Sequence, residues 1–248
     1  YASENSETMI AKGETPVSDP NIPFIAIPTT AGSGSEATHF AVVYIGNEKY
    51  SLASSCLLPD AVILDGSLVL SGTQYQKSCN ALDSVAQAIE SAWAANSTVE
   101  SLEYSLSSLE LSWNILSEFI APTCSHQTAQ KMIEASNLAG KAINISKTTA
   151  AHAWSYAITS SYNIPHGHAV WLTLPQIFEE HANATNYMVT DARGVNHLNE
   201  IMNKLKGKLN IKPRDNCKEQ LRSILAQLGV EHSMESLGMD TAEKRLSI

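Results

Sequence analysis

The chain has 248 residues, with 16 lysines and arginines against 25 aspartates and glutamates, and hence a formal net charge of −9. This length suits one large domain or two small ones, and a hydrophobic fraction of 44% excludes a disordered chain. The acidic balance argues against a nucleic-acid partner, because phosphate backbones recruit basic surfaces. No apolar run approaches the roughly 18–20 residues of a membrane helix, so we predict neither a membrane segment nor a signal peptide.

The four cysteines are far apart in the sequence and form no CxxC pair. This spacing supports neither a disulfide framework nor a cysteine-based zinc site. We therefore expect buried, reduced thiols, which favours a cytoplasmic location.

The first half of the chain carries the β-rich segments. Residues 1–22 are polar, contain two prolines and show no apolar period, which predicts a loop or linker. Short β-rich runs bounded by turn residues follow at 24–27, 41–45, 50–53 and 61–64.

The apolar period becomes helical after Asp65. In residues 80–93 the apolar side chains recur at i, i+3, i+4 and i+7, as on one helix face. Similar patterns predict helices at 101–119, 128–145, 150–160, 195–206 and 218–228, and helix boundaries at Pro122, Pro165, Pro175 and Pro213. The predicted fold class is α/β over residues 1–66 followed by an all-helical part over 67–248.

Two groups of side chains are candidate metal ligands. Asp83, Gln87 and Glu90 share one face of a semi-apolar helix, where a carboxylate is unfavourable unless it is paired or binds a cation. His152 and His166 are fourteen residues apart, so a helix could end and the chain return between them. Two histidines and an aspartate would form an open site for Zn²⁺ or Fe²⁺. A capping or surface aspartate and core histidines are the alternative interpretation.

The segment PTTAGSGSEAT, residues 28–38, follows a predicted strand and is rich in glycines and hydroxyls. A backbone of this kind can approach a phosphate group closely, which predicts an anion-binding loop. An ordinary Gly/Ser turn would have the same composition, so both interpretations stay open at this point.

Three segments in this order resemble the fingerprints of the iron-containing (group III) alcohol dehydrogenases. They are residues 28–36 (PTTAGSGSE), 83–90 (DSVAQAIE) and 152–156 (HAWSY), the last followed by PHG at 165–167. The resemblance covers roughly residues 23–190. It implies the dehydroquinate synthase-like fold and a metal-dependent, NAD(P)-linked alcohol dehydrogenase or aldehyde reductase. It also implies a small alcohol or aldehyde as substrate, and a homodimer or higher oligomer.

The resemblance assigns roles residue by residue. Asp83, His152 and His166 coincide with the family's metal ligands, for Fe²⁺ or Zn²⁺. The NAD or NADP contacts of the family coincide with Thr29, Thr30, Ser33, Thr38, Lys49 and Leu68.

The chain departs from the family pattern at two positions, Gln87 and Tyr156. Gln87 replaces the usual second ligand histidine, and an amide oxygen is a weaker and harder donor than imidazole. Glycerol dehydrogenases resemble this chain in using Asp-His-His, commonly with zinc, so we expect Gln87 to be a fourth or water-mediated ligand. Tyr156 replaces a histidine that is often given a proton-relay role, and a phenol relays protons less readily than imidazole at neutral pH.

Tyr156 and the segment at 49–53 resemble a phosphonoacetaldehyde reductase-like branch of the family. In that branch a basic residue precedes the ligand histidine by five positions, and here it is Lys147. It could pair with the acidic group of a small anionic aldehyde such as phosphonoacetaldehyde. A solvated lysine at a helix start is the alternative.

The family's early G-G-G-S phosphate loop has no counterpart in this sequence. We therefore expect the α/β part to be incomplete and the chain to be a fragment, or to pair with an absent segment. Two other functions stay open, namely a dehydroquinate synthase-type cyclase or lyase and a non-catalytic metal-binding remnant.

Overall fold

The structure is a computed structural model that describes residues 6–13, 22–45, 48–212 and 216–239. Within residues 22–69 it contains four short strands and three short 3₁₀ turns. β1 (Ile25–Ala26) pairs in parallel with β4 (Ala61–Val62). β2 (Phe40–Ile45) and β3 (Glu48–Ala53) pair antiparallel, with Phe40 opposite Ala53. All four predicted β-rich runs are therefore confirmed as strands.

The prediction of a loop throughout residues 1–22 is wrong in one place. Residues Ser6–Ala11 form a short helix, α1, which contacts β3. A helix of six residues has too few turns to show an apolar period in the sequence. So short a helix depends on tertiary packing for its stability, here against β3.

The rest of the described chain is helical, as predicted from the apolar period. Its helices are α2 (Gln74–Trp93), α3 (Val99–Ser112), α4 (Leu116–Ile120), α5 (His126–Ser146), α6 (Ala150–Tyr162), α7 (His166–Ala182), α8 (Gly194–Lys208) and α9 (Cys217–Gln227). Among these described helices, none is long and apolar enough to cross a membrane.

Two predictions within this helical part are wrong. Pro175 was expected at a helix boundary, but it lies inside α7, a helix that the apolar period did not reveal. The buried side chains on both sides of Pro175 outweigh the backbone hydrogen bond that a proline removes. The single helix predicted at 101–119 is interrupted by a 3₁₀ turn at Trp113–Ile115. Pro213 lies outside the described residues.

Helix α2 is the centre of the fold. It begins with a capping box in which Thr73 and Gln76 satisfy each other's backbone N–H groups. It packs against α3, α5 and α7, and nearly all of its side chains after Gln76 are buried. Asp83, Gln87 and Glu90 therefore lie inside the protein rather than on a solvated face.

The loop at residues 28–38 packs closely against two of these helices. A Cβ atom on Gly32 would lie 2.9 Å from the Cα of Asn80 in α2. Gly34 has a left-handed φ of +58°, and a Cβ there would lie 2.6 Å from the Cα of Gly140 in α5. Glycine is required at Gly34 for both reasons, so part of the loop's composition serves packing.

Candidate metal centre

Three helices bring Asp83, His152 and His166 together. Asp83 lies in the middle of α2, His152 in the first turn of α6, and His166 at the start of α7. The Oδ1 atom of Asp83 is 3.3 Å from Nε2 of His152 and 3.8 Å from Nε2 of His166. One potential ligand atom from each residue lies within 4.8 Å of the others.

The burial of the three side chains differs. Asp83 and His152 are buried, whereas 36% of the His166 side chain is exposed. The cluster therefore has a closed side within the helices and an open side at the start of α7. An accessible side is required of a metal site that also contacts a substrate.

The cluster contains buried polar atoms without hydrogen-bond partners among the described residues. They include Oδ1 of Asp83, Nε2 of His152 and Oε1 of Gln87, one helical turn beyond Asp83. Oδ1 of Asp83 and Nε2 of His152 lie 3.3 Å apart, close enough for an ion pair when His152 is protonated. Buried polar atoms without hydrogen bonds are unfavourable, and a bound cation would satisfy them when His152 is neutral. One carboxylate and two imidazoles are a donor set that suits Fe²⁺ or Zn²⁺. The residues present therefore fit a divalent metal.

Glu90 holds His152 in the orientation that this site needs. Its fully buried carboxylate accepts hydrogen bonds from Oγ1 of Thr149 at 2.5 Å and from the backbone N–H of Ala151 at 2.9 Å. It also contacts Nδ1 of His152, so a proton on that nitrogen leaves Nε2 facing Asp83. A carboxylate behind a ligand histidine fixes its tautomer and ring orientation.

The electrostatics of the buried cluster favour positive charge. Burial lowers the pKa of His152, but Asp83 and Glu90 outweigh it and raise this pKa to about 9. Burial raises the pKa of Glu90, but its hydrogen bonds, first of all with His152, bring that pKa below its ordinary value. The carboxylates of Asp83 and Glu90 thus stabilise a positive charge at the position of the His152 imidazole between them.

Thr149 and the positioning role of Glu90 were missed in the sequence. In the sequence, Glu90 shares a helix face with Asp83, and Thr149 belongs to no motif. Thr149 accepts a hydrogen bond from Nε1 of Trp93 at 2.9 Å, which fixes the hydroxyl that it donates to Glu90. The sequence signal was a glutamate on the same semi-apolar helix face as Asp83.

We predict that Glu90→Gln lowers the metal affinity of the chain by about 10–100-fold, the usual effect of losing an outer-shell partner. The amide presents both a donor and an acceptor, so it cannot receive all the hydrogen bonds that Glu90 accepts. Competition with a chelator on folded protein measures the affinity. Glu103→Gln, at an exposed position in α3, is the matched control. An unchanged affinity in folded Glu90→Gln would contradict this positioning role.

His166 is oriented by its neighbours in α6. Ser155 Oγ lies 3.1 Å from Nδ1 of His166, and the Tyr156 ring stacks on the imidazole with centroids 5.6 Å apart. Gly167 allows α7 to approach α2, because a Cβ there would lie 2.0 Å from the carbonyl oxygen of Cys79. The structure therefore places Tyr156 beside the cluster, and its proton-relay role stays a prediction.

Lys147 lies at the end of α5, with a left-handed φ of 66°. Its side chain is exposed, and its ammonium lies over the Phe40 ring, 5.9 Å from the centroid. This contact is with β2 and gives no support of its own to substrate recognition, which stays a prediction.

The predicted cofactor residues do not all lie together. Thr29 and Thr30 are exposed and line a cavity of about 320 Å³, together with Asn80 of α2 and Pro165. Asn80 precedes Asp83 by one helical turn, and Pro165 precedes His166. The cavity is therefore lined by residues that neighbour the cluster in sequence, and by none of its three candidate ligands.

The other predicted cofactor residues lie elsewhere. The Ser33 hydroxyl donates to Oγ of Ser35 at 3.1 Å, and the buried Thr38 donates to the Ser35 carbonyl at 3.1 Å. Leu68 is exposed on the 3₁₀ turn Gly66–Val69. The side chain of Lys49 lies outside the described residues. None of these contacts tests binding of a dinucleotide.

Residues 79–247 match the Fe-containing alcohol dehydrogenase family, C-terminal part, and residues 1–66 match a family described as iron-containing alcohol dehydrogenase. The chain belongs to the iron-containing alcohol dehydrogenase family. This assignment agrees with the three sequence fingerprints. The second fingerprint contains Asp83, and the third, with its PHG segment, contains His152 and His166.

Two curated relatives and one solved structure illustrate the similarity to this family. The phosphonoacetaldehyde reductase of Streptomyces viridochromogenes is 30% identical over 199 residues, which are 79% of this chain and 49% of that protein. A probable alcohol dehydrogenase, EutG, of Escherichia coli is 30% identical over 174 residues, covering 69% and 44% of the two chains. The chain thus spans about half the length of these relatives.

The solved structure of sulfoacetaldehyde reductase from Bifidobacterium kashiwanohense, in complex with NAD⁺, superimposes with a TM-score of 0.85. It is 24% identical and covers 99% of this chain and 63% of that chain. The predicted iron-containing alcohol dehydrogenase fold is therefore confirmed.

Proposed function

We propose that the chain is the metal-binding part of an NAD-linked alcohol dehydrogenase or aldehyde reductase, and that it also supplies part of the cofactor site. One observation carries this proposal. The unpartnered ligand atoms of Asp83 and His152 lie with His166 beside the cavity of Thr29 and Thr30. A metal and a cofactor bound in these neighbouring places could act on the same substrate carbon.

The residues of the cluster have distinct roles in this proposal. Asp83, His152 and His166 would hold the metal, with Gln87 as a further oxygen donor. When bound, the metal polarises a carbonyl oxygen as a Lewis acid, and the nicotinamide supplies the hydride. Glu90 and Ser155 orient the two imidazoles. We propose that Tyr156, whose ring stacks on His166, would give its Oη proton to the alkoxide oxygen formed in the reduction.

The family name supports iron, and the NAD⁺ complex of a structural relative supports NAD. Metal analysis and a comparison of NADH with NADPH would decide the alternatives, zinc and NADP. The relatives are named as reductases and dehydrogenases, which does not favour the cyclase or lyase alternative. We also infer a homodimer or higher oligomer from the family resemblance, which sedimentation of the purified chain would test.

We propose a small anionic aldehyde as the substrate. The names of two relatives each specify an acetaldehyde that carries an anionic group, a phosphonate in one and a sulfonate in the other. The accessible side of the cluster at His166 and the adjoining cavity leave room for such a molecule.

We expect the Fe²⁺-loaded chain, combined with a segment that supplies the G-G-G-S phosphate loop that this sequence lacks, to oxidise NADH when phosphonoacetaldehyde or sulfoacetaldehyde is added, measured by the absorbance of NADH. Acetaldehyde is the matched neutral substrate and should have the higher KM. Asp83→Ala, which removes a ligand, should show no aldehyde-dependent oxidation. Stoichiometric metal and bound NADH without turnover would instead favour the metal-binding remnant.

A further inference from the structure

The cavity beside the metal cluster contains a buried lysine. Lys77, in the first turn of α2, is only 5% exposed and lines the same cavity as Thr29 and Thr30. None of the residues that line this cavity is an aspartate or glutamate. Its polar side chains are Thr29, Thr30, Ser71, Gln76, Lys77 and Asn80.

The ammonium group of Lys77 is poorly compensated by the protein. Nζ donates to the carbonyl oxygen of Ala121 over a long distance of 3.4 Å, and it lies 5.6 Å from the centroid of the Phe119 ring. No carboxylate of the described residues forms an ion pair with it. An ammonium carries three donors, and a buried charge is unfavourable without a partner of opposite sign.

We infer that Lys77 is a specificity-determining residue that binds an oxyanion of a ligand held in this cavity. An oxyanion supplies both the negative charge and the acceptors that Lys77 lacks. The hydroxyls and amides around the cavity can donate to the remaining oxygens. In a chain with a net charge of −9, this buried cation is a local exception that would select anionic ligands.

The position of the cavity gives the oxyanion two possible sources. Asn80 is one turn from Asp83, and Pro165 is next to His166, so the cavity is lined by neighbours of the metal cluster in sequence. The oxyanion is either a phosphate of the dinucleotide or the acidic group of the substrate. The choice between these two sources rests on the proposed function, whereas the binding of an oxyanion by Lys77 does not.

The test measures the binding of inorganic phosphate to the full 248-residue chain by calorimetry. Lys77→Met keeps the apolar stem and removes the charge, so we expect phosphate affinity to fall about tenfold or more. Lys141→Met is the matched control, because the Lys141 ammonium lies 5.9 Å from the Tyr104 ring centroid on an exposed part of α5. The Lys141→Met variant should bind phosphate with the affinity of the parent chain. Equal affinity in folded Lys77→Met would overturn the inference.

A second measurement does not depend on the folding of a variant. A crystal structure of the parent chain grown with phosphate should show an anion within hydrogen-bond distance of Lys77 Nζ. An ordered phosphate elsewhere, with none at Lys77, would also overturn the inference.

A competition experiment separates the two sources of the oxyanion. If NAD⁺ displaces phosphate in the parent chain, Lys77 binds a phosphate of the dinucleotide. If phosphate binds equally well to the NAD⁺-saturated chain, Lys77 recognises the acidic group of the substrate. Lys77 does not hold the metal, so a parent chain that has a normal metal content but does not bind phosphate would contradict this inference alone. Absence of metal with intact phosphate binding would contradict the proposed function alone.

Discussion

His152→Ala is expected to lower the affinity of the chain for Fe²⁺ or Zn²⁺ by more than the roughly 10–100-fold that loss of an outer-shell partner causes. The substitution removes one of three clustered ligands and also removes the imidazole that lies between the buried carboxylates of Asp83 and Glu90. The parent chain should contain about one metal ion per chain, because a single cluster of this type occurs among the described residues.

Thermal unfolding gives an independent measurement of the same effect. A metal at a hundred times its Kd stabilises the folded state by about 2.7 kcal/mol. For a chain of this size that should raise the Tm by roughly 5–10 °C. His152→Ala should show almost none of this increase.

His126→Ala is the matched control, because the side chain of His126 is 62% exposed and lies outside the cluster. It should keep the metal content and the metal-dependent Tm of the parent. If His152→Ala retained both as well, the cluster would not be the metal site.

Gly167→Ala is expected to destabilise the fold and to weaken metal binding together. A Cβ at this position would lie 2.0 Å from the carbonyl oxygen of Cys79 and 2.9 Å from the Cβ of Asp83. These contacts are with the backbone and the first side-chain atom of α2, which cannot rotate away. Overpacking of this kind costs about 1–3 kcal/mol and occasionally more, and a shift of α7 would move His166 away from Asp83.

The measurements are the Tm of the metal-free chain, which should fall by roughly 2–12 °C, and the metal affinity of the folded variant. Gly207→Ala is the matched control, because a Cβ on Gly207 in α8 would meet no atom within 4 Å. Alanine there should stabilise the helix by about 0.5–1 kcal/mol. A Gly167→Ala chain with the Tm and metal affinity of the parent would show that α7 does not depend on this close approach.

The sequence predicted most of the fold from local patterns. Short β-rich runs bounded by turn residues located the four strands, and the helical period located α2, α5, α6, α8 and α9. Helix α7 could not be found in this way, because Pro175 suggests a helix boundary and only buried packing on both sides overrides it. The break between α3 and α4 was likewise invisible, because one apolar period runs through both helices.

The candidate site was predicted less completely than the fold. Spacing and family resemblance identified Asp83, His152 and His166, because ligand types and motif order are properties of the sequence. Glu90 and Thr149 were missed, since neither is a metal ligand and their value depends on hydrogen bonds between residues that are 59 positions apart. Lys77 was missed because a lysine in the sequence ordinarily indicates a solvated surface.

The sequence by itself therefore determined the four strands, most of the helices, the family and the identity of the three clustered ligands. Only the tertiary structure decided which atoms lack hydrogen-bond partners, which imidazole is buried and which is accessible, and that Lys77 lines a cavity without a carboxylate. The physical reason is that propensity and periodicity are local properties of a chain, whereas burial and unpaired polar atoms arise between helices distant in sequence. At Asp83, His152 and Lys77, those long-range contacts turn ordinary side chains into a candidate metal and anion site.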